Sequence, residues 1–167
     1  MGVTAYVGFG SNLGDRRAKF EAACRLLGNI PGTRVTAVSR LFETEPVGLS
    51  DNGPKFVNGA TALDTELPAR ELMKHMREIE TALGKSPEHR SDLSREIDLD
   101  LLLYGEDRLT EEGLVIPHPR MHARAFVLVP LAEIAGHAVH PVLGQTVQWL
   151  LDKLPAHDVM HVTPVSG

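Results

Sequence analysis

Apolar and polar positions alternate from Thr4 to Phe9 and break at Gly10-Ser11-Asn12, which predicts a strand and a turn. Asp15 stands where it can cap a helix running to about Leu27, with Phe20, Ala23, Cys24 and Leu27 on one face. Gly28 and Pro31-Gly32 stop it. Thr33 to Phe42 reads as a second strand, with Val35, Ala37, Ser39 and Leu41 sharing a face. Thr44 to Pro54 is loop, and Phe56 to Leu63 is a third strand. Pro68 opens a helix whose apolar stripe is Leu72, Met76, Ile79 and Leu83, ended by Gly84. Lys85 to Arg95 carries no periodicity and reads as a surface loop. Ile97 to Tyr104 is the clearest strand, and its nearly continuous leucines predict a central, covered position in the sheet. Leu114 to Ile116 reads as a short strand before a Pro-His-Pro turn. Phe126 to Ile134 and Thr146 to Leu154 are helical, and the tail from Pro155 to Gly167 is expected to be loose. The order β-α-β-β-α-β predicts an α+β fold: a ferredoxin-like two-layer sandwich, a mainly antiparallel sheet with helices packed on it, in a single domain over residues 1–167.

Composition narrows the class. A chain of 167 residues with 43% hydrophobic and 23% charged residues suits one soluble domain with a single core. No apolar run approaches the roughly 20 residues that span a bilayer. No basic leader precedes Val3-Thr4-Ala5-Tyr6-Val7, and one cysteine, Cys24, cannot make an internal disulfide; a cytoplasmic location is expected. A net charge of −5 and the lack of an aromatic-rich basic stripe speak against a nucleic-acid partner. The histidines lack zinc-site spacing with cysteines, so most read as solvated or capping residues. Two phosphate-loop mimics fail on inspection. Gly8-x-Gly10 meets its third glycine one residue late, at Gly14, and Gly84-Lys85-Ser86 follows a helix where a phosphate loop would precede one.

The segment from Arg95 to Tyr104 carries the chemistry. On a strand, Asp98 and Asp100 point one way while Ile97, Leu99 and Leu101 enter the core. Two residues of rise set their Cα atoms roughly 6.5 Å apart, a spacing that lets two carboxylates share hard cations with phosphate oxygens and water. Basic residues bracket the pair: Lys85, Arg90 and Arg95 before it, and His118, Arg120, His122 and Arg124 after it.

Six segments in order make the chain resemble the 6-hydroxymethyl-7,8-dihydropterin pyrophosphokinases from Tyr6 to about Leu150. They are Gly10-Ser11-Asn12-Leu13-Gly14, Glu43-Thr44-Glu45-Pro46-Val47-Gly48, Phe56-Val57-Asn58, Ile79-Glu80-x-x-Leu83-Gly84, Arg95-x-Ile97-Asp98-Leu99-Asp100 and Ile116-Pro117-His118-Pro119-Arg120. The resemblance implies transfer of pyrophosphate from ATP to the hydroxymethyl group of the pterin, a step of folate synthesis in which a neighbouring folate-pathway enzyme is a possible partner. It implies that Asp98 and Asp100 hold two Mg²⁺ ions against the ATP phosphates. Phe56 and Phe126 would stack on the pterin, with Asn58 and backbone groups of Thr44, Pro46, Val47 and Gly48 reading its edge. Glu80 would lie near the nucleotide, and Lys85, Arg95, His118 and Arg124 would contact phosphates, Lys85 and Arg95 as catalytic residues. The loop departs from the family pattern: Lys85 replaces an arginine, Pro87 a basic residue, Asp92 an aromatic, and Leu93-Ser94 a Gly-Pro step. Gly113 also stands where some members have an arginine. A catalytically impaired pterin- and ATP-binding relative, or a regulatory domain, are the alternatives.

Overall fold

The computed structural model describes residues 2–12, 15–44, 56–84 and 97–165. Of the loops expected at 44–54 and 85–95, residues 45–54 and 85–95 lie outside the described residues, while Thr44 belongs to a strand.

Strand β1 (Val3–Ser11) runs antiparallel between β4 (Phe56–Thr65) and β5 (Asp98–Tyr104). The stretch 33–42, expected as one strand, is two. β2 (Thr33–Val38) pairs with the second half of β4, and β3 (Phe42–Thr44) pairs with its first three residues. Ser39 makes the break. Its N–H donates to the Ala60 carbonyl at 2.9 Å and its hydroxyl oxygen accepts the Ala60 N–H at 2.8 Å. A side chain thus stands in for the backbone ladder, and the chain bends there.

The hydrogen-bonded order is β5-β1-β4-β3-β8, where β8 is Thr163–Pro164. Among the described residues β5 is therefore an edge strand, not the central one its leucines predict. Its apolar run has another cause: helices cover both faces. Leu99 and Leu101 enter a cluster with Phe9, Leu72 and Met76, against α1 (Arg16–Gly28) and α2 (Ala69–Ala82). Leu102 and Leu103 join Met121, Leu128 and Leu131 in a second cluster, under α3 (Ala125–Ala135) and α4 (Val147–Asp152). The antiparallel α+β sheet is as read from the sequence, with α3 and α4 adding helical cover on the second face. Asp15 caps α1 as expected, accepting the Ala18 N–H at 3.0 Å. Gly59 on β4 lets α1 come close: a Cβ there would sit 2.7 Å from the Phe20 ring.

Two short strands, β6 (Leu109–Glu111) and β7 (Leu114–Ile116), form a hairpin that packs beside β5. Beyond it comes a 3₁₀ turn at Met121–Ala123. The tail expected to be loose carries α5 (Ala156–Met160) and β8, which pairs with β3. Val162 tethers it by burying itself with Phe42, and the Val165 N–H donates to the Leu41 carbonyl at 2.9 Å.

Candidate functional site

Strand alternation puts Asp98 and Asp100 on one face, both half-buried, with Leu99 only 1% exposed between them on the other. On β1 the register sets Gly10 beside Asp98 and Gly8 beside Asp100. One strand further, Asn58 lies opposite Gly10 and Ala60 opposite Gly8. Two glycines thus separate the carboxylates from the amide, and glycine in a strand interior marks a place where something approaches the backbone. A Cβ on Gly10 would stand 3.2 Å from Asn58 Nδ2, so a side chain there would fill the floor between Asp98 and Asn58. Helix α3 packs over Ala60 and Leu102, the next row along the sheet.

Asn58 is 8% exposed and oriented by a neighbour. The Thr44 hydroxyl donates to Asn58 Oδ1 at 3.0 Å, which turns the amide nitrogen towards Gly10. Thr44 was expected to act through its backbone; the structure adds a role for its side chain. Phe56 is half-buried and pairs with Thr44 across β3 and β4. Phe126, at the start of α3, is also half-buried. It packs with Phe42, Ala125 and Val162, and the Arg124 guanidinium carbon lies 5.5 Å from its ring centre. Phe42 pairs with Asn58, so one end of the sheet gathers the amide and the Phe126 ring.

His118 sits behind Asp100. Its N–H donates to the Leu102 carbonyl at 3.0 Å, and its Nδ1 accepts the Arg120 N–H at 3.2 Å. With Nδ1 engaged, the neutral ring carries its proton on Nε2. Burial lowers the His118 pKa, and Asp100 pulls it back up. Burial raises the Asp100 pKa; His118 opposes this, Asp98 adds to it, Arg77 opposes and Glu80 adds. The ionised form of Asp100 is held at a disadvantage that a nearby cation would remove.

Among the described residues no group of three or more His, Cys, Asp or Glu side chains could hold a metal ion. Two half-buried carboxylates on one strand face, paired with Gly10 and Gly8, suit Mg²⁺, which takes one or two carboxylates and completes its shell with water and phosphate oxygens. The residues present fit the ion.

Glu80 is buried beneath β5. Its side chain is 3% exposed, and Oε2 accepts the Leu99 N–H at 2.8 Å. Arg77, which the sequence reading missed, lies one helical turn before it and pairs with its other oxygen at 2.7 Å. The only sequence trace of this is an i,i+3 spacing on α2. Pro46, Val47, Gly48, Lys85 and Arg95 lie outside the described residues.

The family model described as 7,8-dihydro-6-hydroxymethylpterin-pyrophosphokinase (HPPK) matches residues 6–136. A Methylorubrum extorquens 2-amino-4-hydroxy-6-hydroxymethyldihydropteridine pyrophosphokinase is 43% identical over 158 residues, covering 95% of this chain and 98% of its own length. The Bacillus subtilis protein of the same name is 42% identical over 134 residues, 80% of this chain and 79% of its own. The Schizosaccharomyces pombe folic acid synthesis protein fol1 is 38% identical across 93% of this chain, which spans 21% of that protein. A solved Plasmodium falciparum HPPK-DHPS structure with pterin and p-hydroxybenzoate has the same fold, with a TM-score of 0.71 at 17% identity over 92% of this chain. This chain spans 42% of that one.

Proposed function

The chain belongs to the 7,8-dihydro-6-hydroxymethylpterin-pyrophosphokinase family, and on that premise we propose that it transfers pyrophosphate from ATP to the hydroxymethyl group of 6-hydroxymethyl-7,8-dihydropterin, releasing AMP. The observation that supports this reading is the row Asp98–Gly10–Asn58, which sets a carboxylate and an amide on either side of a glycine, the first read as a cation ligand and the second as a reader of the pterin edge. Bound Mg²⁺, taken as two ions, neutralises and orients the phosphates of the co-substrate ATP. Asp98 and Asp100 would hold these ions.

The rest is positioning by the chain's own groups. Asn58 offers its N–H groups to the pterin edge, the Thr44 hydroxyl holding Oδ1 so that Nδ2 faces Gly10. Phe56 and Phe126 supply ring faces for the bicycle. Arg124, fixed above Phe126, joins the base-stacking end to the phosphate end. His118 presents its Nε2 proton to a phosphate oxygen, because its Nδ1 is already in use. Lys85 and Arg95 as phosphate ligands, and Pro46 to Gly48 as a second pterin edge, belong to the same reading. Bringing alcohol and triphosphate together in line supplies most of the acceleration in chemistry of this kind. The reaction is placed in the cytoplasm, within one domain. Among the described residues no helix is long and apolar enough to cross a membrane.

The test is AMP release from ATP with Mg²⁺ and hydroxymethyldihydropterin. One AMP should appear per pterin diphosphate, and Asp98→Ala or Asp100→Ala should abolish turnover in a folded protein. Binding of both substrates without AMP would instead favour an impaired relative, a reading that Pro87 and Asp92 in the altered loop lend weight to. Absence of binding would remove the enzyme reading altogether.

A further inference from the structure

An edge strand turns the N–H and C=O of every second residue away from its partner strand, and those groups must find other company. On β5, Asp98 and Asp100 pair with Gly10 and Gly8 of β1, and Leu99 is the residue between them. Its outward N–H donates to Glu80 Oε2 at 2.8 Å, and its outward carbonyl accepts from Arg77 Nη1 at 2.9 Å. The same Arg77 nitrogen reaches Glu80 Oε1 at 2.7 Å, and Nη2 touches Met73 Sδ at 3.0 Å. A carboxylate and a guanidinium from one helix thus give Leu99 the acceptor and donor that a further strand would give.

This device stands at a telling place. The three residues from Asp98 to Asp100 are held from both sides, by β1 on one edge and by the Arg77–Glu80 pair on the other. Glu80 is almost wholly buried, where a lone carboxylate would be strongly disfavoured; Arg77 neutralises it while keeping its own outer half in solvent. Both bonds come from Nη1 while Nη2 rests on Met73; a lysine ammonium has donors for both acceptors but a shorter reach and no second nitrogen to steady it, so it would hold them less firmly.

We propose that Arg77 is a positioning residue: together with Glu80 it pins the Leu99 backbone, fixes the spacing and facing of Asp98 and Asp100, and so sets the affinity of the site for divalent cations. The inference rests on reading those two aspartates as cation ligands. Groups that orient metal ligands typically contribute 10–100-fold to metal affinity, about the effect expected of this pin.

The experiment measures Mn²⁺ binding by electron paramagnetic resonance with a nonhydrolysable ATP analogue, for wild type, Arg77→Ala, Arg77→Lys and Asp98→Ala. Amide hydrogen exchange at Leu99 and calorimetric pterin affinity are read alongside. Arg77→Ala should weaken Mn²⁺ binding about tenfold or more and speed Leu99 exchange, with pterin affinity unchanged. Arg77→Lys should recover only part of the loss. In turnover, the Mg²⁺ needed for half-maximal rate should rise while the pterin KM stays level. Should Arg77→Ala unfold, Arg77→Lys and Glu80→Gln carry the same readouts, Glu80→Gln keeping an acceptor for Leu99 while dropping the charge that holds Arg77. Wild-type Mn²⁺ affinity with faster Leu99 exchange would overturn the proposal. So would a loss of metal and pterin affinity in parallel with thermal stability. If Asp98→Ala itself leaves Mn²⁺ binding intact, the cation-site reading has failed, and the pin falls with it for that separate reason.

Discussion

Thr44→Val tests whether one hydroxyl aims the Asn58 amide at the pterin, as the proposed function has it. The substitution keeps the shape of the side chain and its fit to a strand, and removes only the donor to Asn58 Oδ1 at 3.0 Å. Asn58 is 8% exposed, so its carbonyl cannot simply turn to water, and the amide loses what distinguishes its two faces. A hydrogen bond of this type contributes about 0.5–1.5 kcal/mol. If all of it is spent on orienting the amide, the pterin Kd rises about 2- to 12-fold, taking each 1.4 kcal/mol as tenfold. The same energy lowers the melting temperature by about 1–6 °C in a chain of this size. Calorimetry with the pterin, at saturating Mg²⁺ and a nonhydrolysable ATP analogue, reads the first number, and a thermal melt reads the second. ATP affinity should not move, because Thr44 and Asn58 lie on strands β3 and β4, away from the aspartates on β5. Thr44→Ser, which restores the donor, should recover most of the affinity. A Thr44→Val protein with wild-type pterin affinity and a lower melting temperature would show that the bond serves the fold alone.

Three further outcomes follow from the packing and burial of single residues. Phe126→Ala removes a half-buried ring and should raise the pterin Kd roughly tenfold or more while leaving ATP binding intact; equal losses for both ligands would place Phe126 in the fold and not in the site. Gly59→Ala pushes a methyl to 2.7 Å from the Phe20 ring, and overpacking of that kind costs about 1–3 kcal/mol; an unchanged urea midpoint would refute it. His140 is 5% exposed, its Nδ1 accepts the N–H groups of Val142 and Leu143, and burial lowers its pKa below the usual 6.5. The unfolded chain then binds the proton first, so the stability His140 supplies is whole above about pH 6.5 and is lost as pH falls through the lower folded value. His140→Asn should flatten the dependence of the urea midpoint between pH 7.5 and 5, and an unaltered slope would exclude His140 as its source.

Where the sequence could be read, the reading used period and punctuation. Asp98 and Asp100 were legible because they interrupt an apolar run with the period of a strand. The edge position of β5 was not, because a strand covered by helices on both faces has the same pattern as a central one. Ser39 hid the break between β2 and β3: it sits at the parity of an inward residue, and only its partner Ala60 shows that its hydroxyl has replaced the ladder. The tail carries a two-residue strand, too short to have any period, and it is held by Phe42 from far earlier in the chain. Most of the site residues came from a resemblance of ordered segments. Arg77 had no such signal, since an exposed arginine on the polar side of α2 looks like any solvated charge. Its meaning lies in a backbone group on β5, more than twenty residues further along the chain.

The site is also where this sequence departs from the local rules that the rest of it obeys. Gly8 and Gly10 weaken the middle of β1, where β-branched or aromatic residues would pair better. Asp98 and Asp100 put two like charges on one face of one strand. Burial disfavours the ionised form of Asp100, so between the ordinary and the raised pKa the folded protein holds the proton more tightly than the unfolded chain does. Ionised Asp100 therefore subtracts from stability as pH rises into the neutral range, which is opposite in sign to the contribution of His140. His118 and Arg77 offset that penalty in part. A divalent cation bound between the carboxylates would reverse it, and the free energy regained on binding would appear as affinity. On the proposed reading, the backbone held at Leu99 keeps both carboxylates where a cation and its triphosphate would recover that free energy on binding.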